Sequence, residues 1–223
     1  LKAALNWLKK YPKAQLFPAR WTDTHDPFMK WGEPDGASND PEQIKVWFSQ
    51  FRMEHVYFCT AFKKSGLVLV DVDVKKGRDG EKTLRALEGQ HGALPETLWA
   101  TTPSNGSHLY FKGACKGGVD RLGEGVDIPF MAPVPGSHVK GKGVYKIEKT
   151  APIPELPQWV IDIAGKAKEK DPGEQQPALV PRDDPDAIKL AVKYLEGAAP
   201  EAIEGNAGDP TTLEVARKLH DLG

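Results

Sequence analysis

Apolar and polar positions change period along the chain, and each change marks an element. Leu1, Ala4, Leu5 and Leu8 recur at helical spacing, which predicts a short amphipathic helix over residues 1–10, closed by Tyr11-Pro12. Leu16, Phe17 and Pro18 start a first strand that runs into an aperiodic stretch, 20–41, rich in Pro, Gly, Asp and aromatics. Asp40-Pro41 supplies a cap and a proline for the first turn of a second helix, with Ile44, Trp47, Phe48 and Phe51 on one face. A strand at 56–61 and a turn at 62–65 lead into the run 66–73, GLVLVDVD, a buried strand that ends in two aspartates. Side chains alternate along a strand, so Asp71 and Asp73 share a face while Val72 points into the core.

Beyond Gly77 and Gly80, residues 81–89 are helical, with Leu84 and Leu87 inward. Residues 97–102 and 107–112 form a hairpin across Pro103-Ser104-Asn105-Gly106, where Asn-Gly accommodates positive φ. On its second strand His108 and Tyr110 face one way, and Leu109 and Phe111 the other. Short strands follow at 125–129, 130–134 and 143–147, then a helix at 159–164. Many short strands with few helices predict an α+β layer rather than a doubly wound sheet. Residues 166–182 have linker composition, charged and Pro-bearing and nearly free of aromatics. The remainder, 183–223, is predicted as a small helical hairpin: one helix carries Ile188, Ala191, Val192 and Leu195, a loop spans 205–209, and a second helix starts near Pro210. That hairpin is too small to hold a core alone. The domain boundaries expected are therefore 1–165, 166–182 and 183–223.

Composition narrows the possibilities. The 223 residues carry a formal net charge of −1, so any nucleic-acid contact must come from a local basic patch. The two cysteines, Cys59 and Cys115, make neither a zinc pattern nor a disulfide framework, which suits a reducing cytoplasm. No apolar run approaches the roughly 20 residues that cross a bilayer. The first residues lack the apolar centre and cleavage site of a signal peptide. With no initiator Met and an end just after a helix-like segment, the chain is expected to be part of a longer protein.

The chemistry lies at strand positions. Two neighbouring carboxylates repel each other unless a cation or a proton intervenes, and an oxygen-rich site suits Mg²⁺ or Mn²⁺. Taken alone, Asp71 and Asp73 equally fit a strand that ends in the polar turn KKGRDG. Asp127 alone fits a strand end, and His108 a surface or hydrogen-bonded core histidine. His25, His55, His91 and His220 show no partner spacing and are expected at the surface. Taken alone, the KKGR run from Lys75 to Arg78 fits a solvated turn, and Ser137 and His138 in PGSHVKG fit a plain turn.

The motifs LVLVDVD, TTPSNGSHLYF and GVDIPFMAPVPGSHVKGKGVY, in that order over residues 16–150, resemble the primase-polymerase domain of the archaeo-eukaryotic primase superfamily, as found in plasmid, phage and mobile-element replication proteins. The resemblance implies an RRM-like palm with a mixed β-sheet and flanking helices, an N-terminal α/β part and a small helical C-terminal domain. It implies a nucleotidyltransferase that makes or extends primers on single-stranded DNA from NTPs or dNTPs. Asp71, Asp73 and Asp127 would hold two divalent ions, Mg²⁺ or Mn²⁺, and His108 would meet the incoming nucleotide's phosphates. The family's second motif is often Ser-x-His, but Gly106 occupies the serine position. Ser104, Ser107 or backbone N–H groups of the turn would replace that contact. Lys30 or Arg20 would bind phosphate upstream, and a helicase fused downstream is common. Beside such a site Lys75, Lys76 and Arg78 are candidates for template or primer phosphate, as are Lys140 and Lys142. Trp31 is a candidate for stacking on a base, and Ser137 and His138 are candidate nucleotide contacts. Two other readings stay open: a haloacid-dehalogenase-like phosphohydrolase, which also places DxD after an apolar strand, and a non-catalytic single-strand or origin-binding module of an initiator.

Overall fold

The computed structural model describes residues 1–75, 77–166, 185–197 and 215. The chain divides into two compact units, Leu1–Lys168 and Glu169–Gly223. The first unit runs α1 (Lys2–Lys10), β1 (Leu16–Trp21), β2 (His25–Pro27), α2 (Pro41–Gln50), β3 (Tyr57–Ala61), α3 (Phe62–Ser65), β4 (Leu67–Val72) and α4 (Gly80–His91). It continues with β5 (Trp99–Thr101), β6 (Ser107–Lys112), β7 (Gly118–Gly123), β8 (Val126–Ile128), β9 (Met131–Pro133), β10 (His138–Val139), β11 (Gly143–Val144), β12 (Lys146–Lys149) and α5 (Gln158–Ala164). In the second unit, α6 (Pro185–Gly197) is described, with Ile188, Val192 and Leu195 exposed. The expected linker beyond Lys166 and the second C-terminal helix, apart from Val215, lie outside the described residues.

The first unit is α+β. A six-stranded sheet has the order β12-β5-β6-β4-β8-β7, and a four-stranded sheet the order β2-β1-β3-β9. Every strand pairing in them is antiparallel, which corrects the expected mixed sheet. Short connections close the β1–β2, β5–β6 and β7–β8 pairs, as antiparallel pairing allows, whereas β4 reaches β5 by a crossover through α4 with β6 between them. No two neighbouring strands of these sheets are parallel, unlike the sheet that a haloacid-dehalogenase-like phosphohydrolase requires.

β4 lies at the centre because both its faces are apolar. Val68, Val70 and Val72 pack with Phe111, Val126 and Ile128 against Val160 and Ala164 of α5 and the half-buried Leu84 and Leu87 of α4. Leu67 and Leu69 face the other way, into a core with Tyr110, Trp7 of α1, Ile44 of α2 and Phe58 of β3. Position 71 continues the second face. Asp71 is thus carried to the side on which the four-stranded sheet lies.

The caps and turns follow local chemistry. Asp40 accepts the Glu42 N–H at 2.9 Å and Asp79 accepts the Lys82 N–H at 3.0 Å, each closing a helix N-terminus. Three expectations are corrected. The aperiodic 20–41 stretch contains β2, which alternation could not flag because its three residues are HDP; pairing with β1 holds it, Trp21 opposite His25. The expected 143–147 strand splits into β11 and β12, which belong to different sheets. The 62–65 turn is one turn of helix, closed by Gly66 at φ 64°. No helix among the described residues is long and apolar enough to cross a membrane.

Candidate active site

Where the two sheets part, they enclose a cleft of about 220 Å³. β4 delivers Asp71 to it and the residue just past the strand delivers Asp73. β8 delivers Asp127 and β6 delivers His108. The register accounts for the convergence. Asp71 pairs across the ladder with His108 on one side and with Asp127 on the other, and cross-strand partners present their side chains on one face.

Backbone contacts fix this geometry. Asp73 N–H donates to the Gly125 carbonyl at 2.8 Å, and Gly80 N–H donates to the Asp73 carbonyl at 3.0 Å. The approach is so close that a Cβ on Gly80 would meet the Gly125 oxygen at 2.3 Å. Gly106 is confined in the same way. A Cβ there would lie 2.5 Å from the Val72 oxygen, which explains why glycine stands where the resembled motif often has serine. The positive φ of that turn is carried by Asn105, at 63°.

The carboxylates are unevenly satisfied. Asp73 pairs with Lys75 at 2.9 Å. Asp127 accepts the Asp120 N–H at 2.7 Å, and Arg78 lies 3.8 Å from it while bonding Asp120 at 2.9 Å. Asp71 has a buried Oδ1 with no hydrogen-bond partner, and His108 Nε2 lies 3.5 Å from it. Burial pushes the Asp127 carboxyl up, and repulsion from Asp71 and Asp73 adds to it, against the Asp120 N–H and Arg78. Among the described residues no three metal-ligating side chains already stand as a formed cage. The donor set nevertheless fits hard divalent cations: it is all oxygen, crowded with negative charge, and one oxygen is buried with no partner.

The opposite wall is chemically different. His25 Nδ1 lies 2.6 Å from the Tyr57 hydroxyl, whose own hydrogen goes to the Arg20 carbonyl at 3.0 Å. Nδ1 is therefore the donor, and Nε2 is left to accept from Lys142 at 3.0 Å or Tyr145 at 3.2 Å. Burial, then the Lys142 charge, lowers the His25 pKa to about 3, so the ring is neutral. Lys142 sits 4.3 Å from the Trp21 ring centroid. Burial and Lys75 lower its pKa, while Asp71 and Asp73 oppose that shift.

The structure thus gathers Asp71, Asp73, Asp127, His108, Ser104 and Lys75 around one cleft, with Lys142 opposite. Other candidates lie elsewhere. Arg20 is paired with Asp26 and Glu54. Trp31 stacks on Phe17 at 5.4 Å. Lys30 and His138 are exposed away from the cleft lining, and Ser137 is buried beneath its loop. Ser107 sits in the ladder opposite Val72, Arg78 stands behind Asp127, and Lys76 lies outside the described residues. His25, expected at the surface, is corrected to the cleft wall, and Tyr145 joins it there. Their only sequence signal is an aromatic or imidazole among Pro and Gly, which does not separate them from loop residues.

The family model for the N-terminal domain of bifunctional DNA primase/polymerase matches residues 8–159. The chain belongs to this family. Comparison with curated proteins gives no match. The match spans both sheets and all four cleft residues, Asp71, Asp73, His108 and Asp127. Primase/polymerase domains of this family are of the DNA primase and polymerase type and are typically dependent on divalent metal ions.

Proposed function

We propose that residues 1–165 are the catalytic domain of a DNA-dependent nucleotidyltransferase that makes or extends primers on single-stranded DNA. The observation that carries this is the convergence of Asp71, Asp73 and Asp127 beside a cationic wall, with one oxygen of Asp71 buried and unbonded. Asp71, Asp73 and Asp127 would hold the divalent ions, Mg²⁺ or Mn²⁺. When bound, such ions neutralise triphosphate charge and lower the pKa of an attacking hydroxyl. The six-stranded antiparallel sheet would be the RRM-like palm, the four-stranded sheet its N-terminal partner, and 183–223 a small helical module after the linker.

The chain's own residues position the nucleotide. Lys142 is the cation that faces the carboxylates across the cleft, so it would take triphosphate oxygens. Neutral His25 accepts a hydrogen bond from Lys142 and holds the ammonium in place. His108 is buried, with Nδ1 3.5 Å from the Tyr110 hydroxyl and Nε2 toward Asp71. With its N–H on Nε2, it would face Asp71 in the free protein and turn to the nucleotide's phosphate once cations hold that carboxylate. Ser104 stands at the rim for the same ligand; the Asn105 and Gly106 N–H groups of its turn are already bonded to Thr102. Lys75 neutralises Asp73 in the free protein and would turn to the primer or template phosphate. Phosphoryl transfer asks for this positioning and charge balance and little else from the protein.

The test is primer synthesis on single-stranded DNA with Mn²⁺ or Mg²⁺ and nucleoside triphosphates. Asp71→Ala with Asp73→Ala should abolish synthesis while leaving the fold intact. Undiminished synthesis by that double variant ends the proposal.

A further inference from the structure

A second cavity, of about 320 Å³, opens at the other end of β4, where Leu67 and Val68 form part of its lining. Phe62, Ile128 and Phe130 contribute further apolar wall. Pro129 lines both this cavity and the acidic cleft, so the two adjoin two residues after Asp127. No carboxylate lines the cavity; its charged lining residues are Lys63 and Lys116, both exposed. Phe130 is 59% exposed, an unusual placement for a large aromatic. Its position is nonetheless fixed. The ring lies over Gly117, where a Cβ would come within 2.7 Å of it, and the Phe130 carbonyl accepts the Phe62 N–H at 3.1 Å.

We propose that this cavity is a subsite for one unpaired nucleobase of the single strand engaged at the acidic cleft, with Phe130 stacking on the base and Lys63 and Lys116 meeting its flanking phosphates. The inference rests on the primase/polymerase reading of that cleft. A base presents an apolar face with an anionic phosphate a few bonds away, and the cavity presents apolar wall with ammonium groups and no opposing acid. A purely apolar ligand would leave the two lysines unused, and a small anion would leave the aromatic unused. The volume is at the low end of the roughly 300–1,000 Å³ typical of small-molecule pockets, which suits one base and excludes a duplex. Stacking tolerates any base, because each has a π-face, so the subsite would hold the strand without reading its sequence.

Cys115 in the cavity lining supplies a reporter. Cys115 is half-buried, whereas Cys59 is fully buried and serves as an internal reference. Burial raises the Cys115 thiol pKa to about 11, so alkylation is run at mildly alkaline pH. The full chain, without metal, is titrated with a short single-stranded oligonucleotide of mixed sequence. Expected results are protection of Cys115 by the oligonucleotide and about tenfold weaker binding by Phe130→Ala, in keeping with the usual loss per stacked base. Lys116→Glu should also weaken binding and flatten its salt dependence. The subsite is overturned if the oligonucleotide binds Phe130→Ala as tightly as wild type and leaves Cys115 reactive. It is also overturned if Cys115 is shielded before any oligonucleotide is added, because the chain or a second copy then covers the cavity. Protection by a nucleoside monophosphate as strong as that by the strand would replace a strand subsite with a nucleotide site. Primer synthesis on the same preparation separates the two readings. Synthesis intact without protection removes the subsite alone. Absence of both synthesis and strand binding removes the primase/polymerase reading itself.

Discussion

The two walls of the cleft reach opposite charge by different constructions. On the six-stranded sheet, Asp71 and Asp127 stand side by side in a register set by strand pairing, and their mutual repulsion is left partly uncompensated. On the other wall, Lys142 is partly buried against Trp21 and Tyr145 and is held by a neutral histidine. The first wall is rigid because main-chain ladders fix it. The second depends on side-chain packing, which costs a partly desolvated cation. Both walls therefore carry unpaired or weakly paired charge toward the same space, a combination that costs stability unless a ligand of mixed charge occupies it.

This contrast can be broken most severely at Asp71. Asp71→Ala should cut primer synthesis by about a hundredfold or more, yet leave thermal stability unchanged or raise it, because the side chain has an unbonded buried oxygen among like charges. A drop in melting temperature equal to that of a core truncation would show that the carboxylate is structural. Gly106→Ser should do the reverse. It restores the residue type often found in the resembled motif, but its Cβ meets the Val72 oxygen at 2.5 Å, so urea denaturation should show a loss of about 1–3 kcal/mol typical of overpacking.

On the cationic wall, Lys142→Met should raise KM for the nucleotide by about tenfold or more, as for loss of one charged hydrogen bond, with little change in stability. A pure kcat effect with unchanged KM would place Lys142 away from ground-state nucleotide. His25 gives a smaller and purely pH-dependent signature. Its folded pKa of about 3 lies below the ordinary 6.5, so the unfolded chain binds the extra proton between those values. Its contribution to stability is thus fully present above about pH 6.5 and is lost as the pH falls toward 3. In a denaturation series across that range, His25→Gln should lose less stability than wild type. The smallest effect is expected at Arg20. Arg20→Ala removes two exposed ion pairs with Asp26 and Glu54 and should leave synthesis near wild type. A large loss would restore the phosphate role expected for it from the resemblance.

Much of the fold was legible because the local signals were strong. The Asp40-Pro41 cap, the apolar run of β4 and the hairpin around Asn105 are each set by neighbours in sequence, and they stand where the pattern put them. The family was legible for a related reason: its motifs are strand ends and tight turns, which keep residue type and spacing together. β2 and β7 were not legible. HDP and GVDRLG have no alternation, and only their neighbours in the ladder make them strands. His25 was missed on the same ground, since its partners Tyr57, Lys142 and Tyr145 are distant along the chain.

The amino-acid order by itself determined that Asp71 ends an apolar strand with Asp73 just beyond it, that β5 and β6 form a hairpin, and that the chain is α+β. Those facts depend on side-chain alternation and turn chemistry over a few residues. Only the tertiary structure decided which of the chain's polar groups meet. It set Asp127 beside Asp71 through the β4–β8 register, left one Asp71 oxygen without a partner, and brought Lys142 and His25 to the facing wall. Contacts between residues far apart in the chain are fixed by packing of the two sheets, and no local pattern encodes that packing.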